Sequence, residues 1–293
     1  MNLFGDLAEV VRREVPLAPL TWFGLGGPAE YLVEPTSEAE LATVVRRCHE
    51  NGLPVRLLGF GANVLVPDEG VRGAVIRLSA EVFTRTEYHP ARVVAGGGVD
   101  LTRLVRHTVR RGLAGLEYLA GIPGTVGGGI CMNCGGRYGE ISTAVRSVRV
   151  IDRDGQAYDR EHDDLGFDYR RSDLNGAVVV SATFEITETD PEELVGRFRQ
   201  IWMYKQNTQP PLGTRSAGCI FRNPQGRPAG WLIDQAGLKG TRSGGAYVSD
   251  RHANFILVER GGTAADVTRL IRVIQDRVYD RFGVRLEPEV QIW

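Results

Sequence analysis

Glycine-rich segments are the first feature of this chain that has the chemistry of a binding site. Backbone N–H groups in such segments bind anions, because a residue without a side chain lets the backbone approach a ligand closely. Each segment taken alone is equally well explained as a tight turn between short strands. Four of them between residues 23 and 129 favour a cradle for the phosphates of a nucleotide: Phe23-Gly-Leu-Gly-Gly-Pro, Gly59-Phe-Gly-Ala-Asn, Gly96-Gly-Gly and Gly121-Ile-Pro-Gly-Thr-Val-Gly-Gly-Gly.

These segments do not fit the dinucleotide-binding fingerprint of a Rossmann fold. That fingerprint needs a strand, then G-x-G-x-x-G, then a helix, with an acidic residue about 20 positions further on. Here the segment that starts at Gly59 continues through Val64 into a strand-like run. We therefore expect a nucleotide cradle of a non-Rossmann kind.

The cysteines and histidines suggest two other kinds of site. Cys131-Met-Asn-Cys134 is a C-x-x-C motif, which elsewhere forms half of a zinc site or a redox pair. The sequence has no second pair to complete a tetrahedral site, and the motif lies within a glycine-rich segment rather than at the start of a helix. The five histidines are scattered along the chain. We predict no metal site, and a structural or incidental role for both cysteines.

The elements that must position the loops begin with a small α/β block at residues 16–80. Ser37 followed by Glu40 predicts a capping box at the start of a helix that ends at Gly52. Short apolar segments bounded by Gly or Pro predict buried strands at Val55–Leu58, Val64–Val66 and Ala74–Leu78.

A second block covers residues 90–188, and a third runs from Pro191 to the chain end. Asp100 caps a predicted helix that stops at Gly112, whereas the stretch 121–139 is too rich in glycine for a regular element. Asp154-Gly155 predicts a hairpin turn. The remaining predictions are strands at Arg92–Ala95 and Val178–Ile186, helices from Pro191 to about Gln206, around Trp231–Gln235 and over Ala265–Phe282, and an extended end at Arg285–Trp293. This mixture predicts an α+β fold.

Composition excludes several classes of function. The hydrophobic fraction of 42% and the charged fraction of 24% are those of an ordinary globular protein. The net charge is −1, so no overall field attracts nucleic acid or an anionic membrane. The N-terminal segment lacks the apolar core of a signal peptide, no run is long enough for a membrane helix, and the cysteines do not suggest a disulfide framework. We expect a cytoplasmic monomer that binds neither nucleic acid nor membrane.

Five segments carry a family resemblance through their order and separation. They resemble the UDP-N-acetylenolpyruvoylglucosamine reductase (MurB) family over nearly the whole chain, from about Leu20 to Glu289. The length is that of the shorter members, which lack an inserted loop whose tyrosine covers the substrate. The segments are Gly59-Phe-Gly-Ala-Asn-Val-Leu-Val, Gly115-Leu-Glu-Tyr-Leu-Ala-Gly-Ile-Pro-Gly-Thr-Val-Gly-Gly, Phe167-Asp-Tyr-Arg-Arg-Ser, Ser216-Ala-Gly-Cys-Ile-Phe-Arg-Asn-Pro and Leu286-Glu-Pro-Glu-Val.

The resemblance implies an FAD-binding region of the vanillyl-alcohol-oxidase (PCMH) type, with subdomains at residues 1–80 and 81–189. An α+β substrate-binding domain follows at residues 190–293. The first flavin loop contains no histidine, so FAD is expected to bind non-covalently. In the family two glycine loops hold the flavin and its pyrophosphate, which assigns that role here to Gly59, Gly61, Ala62, Asn63 and Val64, and to Gly121, Ile122, Pro123, Gly124, Thr125 and Gly128.

The resemblance also implies a reaction. NADPH reduces FAD, and a hydride then passes to the terminal carbon of UDP-N-acetylglucosamine enolpyruvate, which gives UDP-N-acetylmuramate for peptidoglycan synthesis. Charge develops on the carboxylate of the substrate, and the adjacent carbon needs a proton. Arg170 and Glu289 match the catalytic Arg and Glu of the family, and Cys219 stands where many members have a proton-donating Ser. We expect these three side chains to converge around the reacting carbon.

Cys219 is the departure from the family pattern. A free thiol loses its proton far more readily than an aliphatic hydroxyl, so it is the easier proton donor. The alternative is that Cys219 is only a small buried hydrophobe.

Residues expected near the substrate are Tyr169, Tyr204, Gln209, Arg215 and Asn223. Two other functions stay open at this point, an FAD-dependent oxidase of an alcohol or hydroxy acid and a non-enzymatic module that binds flavin or a nucleotide sugar.

Overall fold

The computed structural model describes residues 3–293 and divides the chain into two compact units. Unit 1 comprises the residues up to Glu14 together with Glu30–Gly59 and Arg72–Tyr204. Unit 2 comprises Val15–Ala29, Phe60–Val71 and Lys205–Trp293. The three-part division at residues 80 and 189 stays a prediction from the sequence.

Four of the helices start at residues whose side chains satisfy free backbone N–H groups. Ser37, Asp100, Thr125 and Thr263 each accept a hydrogen bond from the N–H three residues later. Within residues 3–293, no helix is long and apolar enough to cross a membrane. The helices are α1 Glu38–Glu50, α2 Glu81–Thr84, α3 Leu101–Arg110, α4 Val126–Cys131, α5 Pro191–Thr208, α6 Ala229–Gln235 and α7 Ala264–Phe282.

The strands are mostly short, with glycine in several of the turns that join them. They are β1 Val11–Pro16, β2 Pro28–Val33, β3 Val55–Leu57, β4 Val64–Leu65, β5 Val71–Ile76, β6 Thr86–His89, β7 Arg92–Gly96, β8 Leu113–Ala114, β9 Gly135–Gly136, β10 Gly139–Glu140, β11 Val145–Ile151, β12 Ala157–Glu161, β13 Val178–Glu185, β14 Thr187–Glu188, β15 Arg242–Ser243, β16 Ala246–Val248, β17 Ile256–Val258 and β18 Gln291–Ile292.

A five-stranded antiparallel sheet is the centre of unit 1, in the order β12-β11-β13-β7-β6. The hairpin predicted at Asp154-Gly155 joins β11 to β12 and is confirmed. Apolar residues of this sheet and of α3 and α4 form one buried core, which includes Leu104, Ile130 and Val148. A second core of unit 1 gathers α1, β5 and the end of β11. A four-stranded sheet has the order β1-β2-β5-β3, in which β3 and β5 are parallel.

Unit 2 is built on the three-stranded antiparallel sheet β15-β16-β17 and on helices α6 and α7. Its core includes Val248, Leu232, Val267 and Ile274, all nearly inaccessible to solvent. The end of the chain returns as β18, which pairs in parallel with β4. The α+β fold predicted from the sequence is therefore confirmed.

The stretch 121–139 contains a helix, contrary to the sequence-based prediction. Helix α4 forms there because Thr125 caps it and because Val126 and Ile130 are anchored in the core. Gly129 allows close packing, since a Cβ at that position would lie 3.2 Å from Cδ1 of Ile141. Tertiary packing has overridden the low helix propensity of glycine.

The capping box predicted at Ser37 and Glu40 is only half present. The Ser37 hydroxyl accepts from the N–H of Glu40, but the Glu40 carboxylate accepts from the N–H of Thr36 and not from that of Ser37. The reciprocal arrangement occurs instead at α7, between Thr263 and Asp266.

Strand β3 is not buried as predicted. Val55 and Leu57 are each 36% exposed. The reason is its place in the sheet, because β3 is the last strand in the order and has a partner on one side only. Strand β5 begins at Val71, three residues before the predicted start at Ala74.

Asp266 supplies a testable feature of unit 2. One carboxylate oxygen accepts from the N–H of Gly245 at 3.1 Å and from that of Thr263 at 3.0 Å, and the side chain is only 9% exposed. The bond from Gly245, with further bonds from Thr263, holds the pKa of Asp266 below its ordinary value. Asp266 therefore links the turn before β16 to the start of α7.

We predict that Asp266→Asn lowers the free energy of unfolding by about 1–3 kcal/mol at pH 7, because bonds to a charged acceptor are lost. Because the pKa of Asp266 is lower in the folded state, its ionised carboxylate stabilises that state at pH values above the unfolded pKa of about 4. This stabilisation is lost as the pH falls through the pKa of the folded state. In urea unfolding, the difference in unfolding free energy between Asp266→Asn and the unchanged protein should become smaller in acid. The control is Asp280→Asn, since Asp280 is exposed on the same helix. An equal loss in both variants would contradict the assignment.

Candidate active site

The two glycine loops predicted to hold a flavin meet in unit 1 at Gly59 and Thr125. A Cβ on Gly59 would lie 2.5 Å from the hydroxyl oxygen of Thr125, so only glycine fits there. The same hydroxyl caps α4 by accepting from the N–H of Gly128. Gly124 has a φ of +130°, and a Cβ built on it meets no atom within 4 Å. The second loop therefore has open space beside its backbone.

The rest of the first loop lies in unit 2 and is fixed by backbone packing. Gly61 has a φ of +64°, and a Cβ there would lie 2.3 Å from the carbonyl oxygen of Leu20. Its own carbonyl accepts from the N–H of Trp22 at 3.0 Å. Ala62 and Asn63 follow and lead into β4 at Val64, as the sequence predicted.

Both loops present N–H groups that a phosphate group can use. Within residues 3–293, the N–H groups of Gly61, Ala62 and Asn63, and those of Gly124 and Thr125, donate to no acceptor of the protein. Several adjacent N–H groups without a protein partner are the donor set of an anion-binding nest. Each of these two sets, within its own unit, therefore fits a phosphate group of FAD.

The other two glycine clusters are closely packed against the protein backbone. A Cβ on Gly96, Gly97 or Gly98 would lie within about 2 Å of a backbone carbonyl oxygen of the protein. Gly27 likewise abuts the backbone of Asp68 and Gly70. These contacts favour the interpretation of both clusters as tight structural turns.

The chain end forms a bridge to the segment that carries Cys219. The N–H of Arg222 donates to the carbonyl of Glu287 at 2.9 Å, and the N–H of Glu289 donates to that of Ile220 at 2.7 Å. Cys219 is half-buried and directly precedes this bridge. The predicted thiol and the predicted chain-end carboxyl group therefore lie on paired backbone segments, although they are 70 positions apart in sequence.

Asn63 joins the flavin loop to the same cluster. Its side-chain amide donates to the carbonyl of Glu289 at 3.2 Å, and its own carbonyl accepts from the N–H of Gln291 at 3.0 Å. Three segments that the sequence predicted to be functional are thus brought together within unit 2.

Asn254 is a site-forming residue that the sequence reasoning missed. It is 3% exposed, and its side chain bonds both backbone groups of Phe221, accepting from the N–H at 3.0 Å and donating to the carbonyl at 2.8 Å. Its own carbonyl accepts from the N–H of Ile220. The Asn254 side chain therefore makes the two backbone hydrogen bonds that a neighbouring strand would make, and it fixes the segment after Cys219. No sequence signal marks an asparagine for this task.

Arg170 lies in unit 1, at the tip of a tight turn. Its side chain is 13% exposed, whereas that of the adjacent Arg171 is 66% exposed and pairs with Asp168. The guanidinium of Arg170 donates to Glu140 at 3.2 Å and to the carbonyl of Gly135 at 2.8 Å. Arg171 is the surface residue of the pair, and Arg170 is the one held in place.

The residues predicted near the substrate have different local roles. Tyr169 and Tyr204 are about 40% exposed. The ring of Tyr204 packs edge-on against that of Tyr138, with 6.0 Å between the ring centroids. Gln209 follows the end of α5 and is half-buried. The Asn223 side chain accepts from the N–H of Ala229 at 2.9 Å, at the start of α6.

Arg215 acts as a clamp inside unit 2. Its guanidinium donates to the carbonyls of Phe23, Gly24 and Glu259 at 2.8, 2.7 and 3.2 Å. Three of its five N–H donors are committed to the protein itself. Its role in holding a diphosphate stays a prediction.

The sequence predicted that the C-x-x-C motif lies within a glycine-rich segment without a regular element. In the structure its first cysteine, Cys131, is the last residue of α4. Burial raises the pKa of the Cys131 thiol to about 11. A thiol with that pKa stays protonated near neutral pH and is a poor nucleophile or metal ligand. All four cysteines are free thiols.

Comparison with known proteins identifies two domains in this chain. Residues 29–159 match the FAD binding domain family, and residues 209–293 match the C-terminal domain of UDP-N-acetylenolpyruvoylglucosamine reductase. The fold and its glycine loops therefore define an FAD-binding oxidoreductase. A distant structure, that of Phl p 4.0202, a glucose dehydrogenase, is 14% identical with a TM-score of 0.52 and supports the fold alone.

Closer relatives identify the family. The UDP-N-acetylenolpyruvoylglucosamine reductase 2 of Symbiobacterium thermophilum is 44% identical over 97% of this chain and 92% of its own length. The reductase of Rubrobacter xylanophilus is 42% identical over 98% and 96%. The crystal structure of the Thermus caldophilus reductase (MurB) has a TM-score of 0.84 at 38% identity, over 97% of this chain and 99% of that one. The chain belongs to the UDP-N-acetylenolpyruvoylglucosamine reductase family.

We predict that Gly61→Ala lowers the affinity for FAD at least tenfold, because a methyl group at Gly61 must displace the backbone at Leu20. Flavin content after purification and titration of the apoprotein with FAD measure the effect. The control is Gly196→Ala, since Gly196 has open space and lies in α5. Full flavin occupancy with unchanged affinity in Gly61→Ala would show that the loop does not hold FAD.

Proposed function

We propose that this protein reduces UDP-N-acetylglucosamine enolpyruvate to UDP-N-acetylmuramate, with NADPH as the reductant, in the synthesis of peptidoglycan precursors. Bound FAD supplies the hydride chemistry between the two substrates. Family membership supports the substrate, and the cluster of Asn63, Cys219 and Glu289 is the observation that carries the assignment of residues to the reaction.

The reaction adds a hydride and a proton across a carbon–carbon double bond. The hydride goes to the terminal CH2 carbon, and the proton goes to the carbon that bears the carboxylate and the ether oxygen. Between the two events the electron pair of the double bond is delocalised onto the carboxylate. The protein must therefore stabilise that charge and supply one proton.

Arg170 is the proposed group that binds the carboxylate. A guanidinium donates two parallel hydrogen bonds to a carboxylate, and these bonds strengthen as charge develops. Its low exposure and its two bonds within the protein fix its orientation before the substrate arrives. Glu289, in its protonated form, is proposed to donate a further hydrogen bond to the same carboxylate.

Cys219 is the proposed proton donor. It is half-buried and directly precedes Ile220, whose carbonyl accepts from the N–H of Glu289. Gly218 precedes it with a φ of +71° and open space around its Cα, which leaves room for a ligand. The convergence of Arg170 with Cys219 and Glu289 around the reacting carbon stays a prediction.

Tyr169, Tyr204, Gln209, Arg215 and Asn223 are proposed to contact the nucleotide sugar or the nicotinamide nucleotide. We place the reaction in the cytoplasm, where NADPH and nucleotide sugars are found, and the free state of all four cysteines fits a reducing compartment. All the residues named belong to one chain, and we propose that it acts as a monomer.

The alternative of an alcohol or hydroxy-acid oxidase is disfavoured. An FAD-binding fold alone supports many reactions, but residues 209–293 match the C-terminal domain of the reductase. That region contains Cys219, Asn223 and Glu289.

We predict that Cys219→Ala leaves the reduction of bound FAD by NADPH unchanged and slows the transfer to the enolpyruvyl substrate by about 10²–10⁴, the usual contribution of a general acid. Cys219→Ser should recover part of the lost rate, because a hydroxyl can also donate. Stopped-flow absorbance of the flavin separates the two half-reactions.

The matched control is Cys48→Ala, which removes a thiol from the core of unit 1. It should change stability and leave both half-reactions unaltered. Normal turnover of Cys219→Ala would eliminate the thiol as proton donor, and failure of the unchanged protein to reduce the enolpyruvyl sugar would eliminate the proposed reaction.

A further inference from the structure

Arg170 occupies a backbone conformation that its type disfavours. Its φ is +56°, in the left-handed region, where a side chain crowds the backbone. The turn that carries it is closed by reciprocal bonds between Asp168 and Arg171, with N···O distances of 3.0 and 3.1 Å. Such a conformation persists only where the surroundings determine it, and it occurs often at functional sites.

Two acceptors on one loop hold the side chain of Arg170. Nη1 of Arg170 donates to Oε1 of Glu140 at 3.2 Å, and Nη2 donates to the carbonyl of Gly135 at 2.8 Å. Because these bonds leave from different nitrogens, they fix the plane of the guanidinium as well as its position. The pair is only partly exposed, at 13% for Arg170 and 33% for Glu140.

Glu140 is in turn fixed by Asn133. The Asn133 amide donates to Oε2 of Glu140 at 2.9 Å and to the carbonyl of Asp168 at 3.0 Å, and its oxygen accepts from the N–H of Ser142 at 3.2 Å. Asn133 is 1% exposed. One buried amide therefore connects the loop that carries Glu140 to the turn that carries Arg170, and a chain of three side chains results.

We propose that Glu140 is a positioning residue, which holds the Arg170 guanidinium in the orientation that binds the enolpyruvyl carboxylate, with Asn133 fixing Glu140. This role rests on the proposed function, in which Arg170 binds that carboxylate. A long side chain that is free to rotate must lose that freedom when substrate charge develops, and the network removes this cost in advance.

A purely structural role for Glu140 is the competing explanation, and the half-reactions separate the two. NADPH oxidation by the bound flavin involves no enolpyruvyl carboxylate, so a positioning residue affects only the second half-reaction. A residue that merely holds the loops together affects flavin content, melting temperature and both half-reactions at once.

The experiment compares Glu140→Ala, Glu140→Gln and the unchanged protein, all loaded with FAD. The readouts are flavin content, melting temperature, the rate of flavin reduction by NADPH, the dissociation constant for the enolpyruvyl sugar and the rate of its reduction. The matched control is Glu38→Ala, because Glu38 pairs with Arg149 at 3.1 Å on the surface of the same unit.

We expect Glu140→Ala to reduce the enolpyruvyl sugar roughly 100-fold more slowly and to bind it more weakly, as misplacement of a binding group implies. Flavin content, melting temperature and flavin reduction should stay near those of the control. Glu140→Gln should recover most of the rate, since its side-chain oxygen still accepts from Arg170.

Two results would overturn the role of Glu140. One is a Glu140→Ala variant that reduces the enolpyruvyl sugar at the normal rate. The other is a variant in which flavin content, melting temperature, flavin reduction, sugar binding and sugar reduction all decline together. If the unchanged protein takes up NADPH electrons and does not pass them to the enolpyruvyl sugar, the proposed function fails and this role fails with it.

Discussion

The return of the chain end to the segment at residues 220–222 is the interaction on which the candidate site depends. The bridge consists of backbone hydrogen bonds, and the side chain of Asn254 holds one of its two segments at Phe221. It brings the backbone segments that carry Cys219 and Glu289 next to each other. Asn63 then connects the flavin loop to the carbonyl of Glu289. The predicted flavin loop at Asn63, the predicted proton donor Cys219 and the predicted catalytic Glu289 therefore lie on segments that share one hydrogen-bonded framework in unit 2.

Glycine performs two separate tasks in this fold. At residues 96–98 it lets backbones pack against each other, whereas at Gly124 it leaves open space beside a loop whose N–H groups point to no protein acceptor. The amino-acid type is the same in both places, so sequence clustering alone does not distinguish packing from ligand binding. The backbone N–H groups do distinguish them: those of Gly96, Gly97 and Gly98 donate to protein carbonyls, whereas that of Gly124 has no acceptor within residues 3–293.

Local signals predicted much of the fold, because caps and turns act over a few residues. Asp100 starts α3 and the turn at Asp154-Gly155 joins β11 to β12, as the sequence indicated. Helix α4 was missed because its stability comes from the packing of Val126 and Ile130. Asn254 was missed for a related reason: its partner, Phe221, is 33 residues away, and local pattern does not encode such distant pairs.

Electrons from NADPH are proposed to pass through bound FAD to an enolpyruvyl group. The most direct measurement mixes the FAD-loaded protein with one equivalent of NADPH without oxygen, and then with UDP-N-acetylglucosamine enolpyruvate in D2O. The flavin absorbance should return as one equivalent of UDP-N-acetylmuramate forms, with deuterium on the carbon that bears the carboxylate. A flavin that stays reduced until oxygen is admitted, with no muramate formed, would contradict the claim.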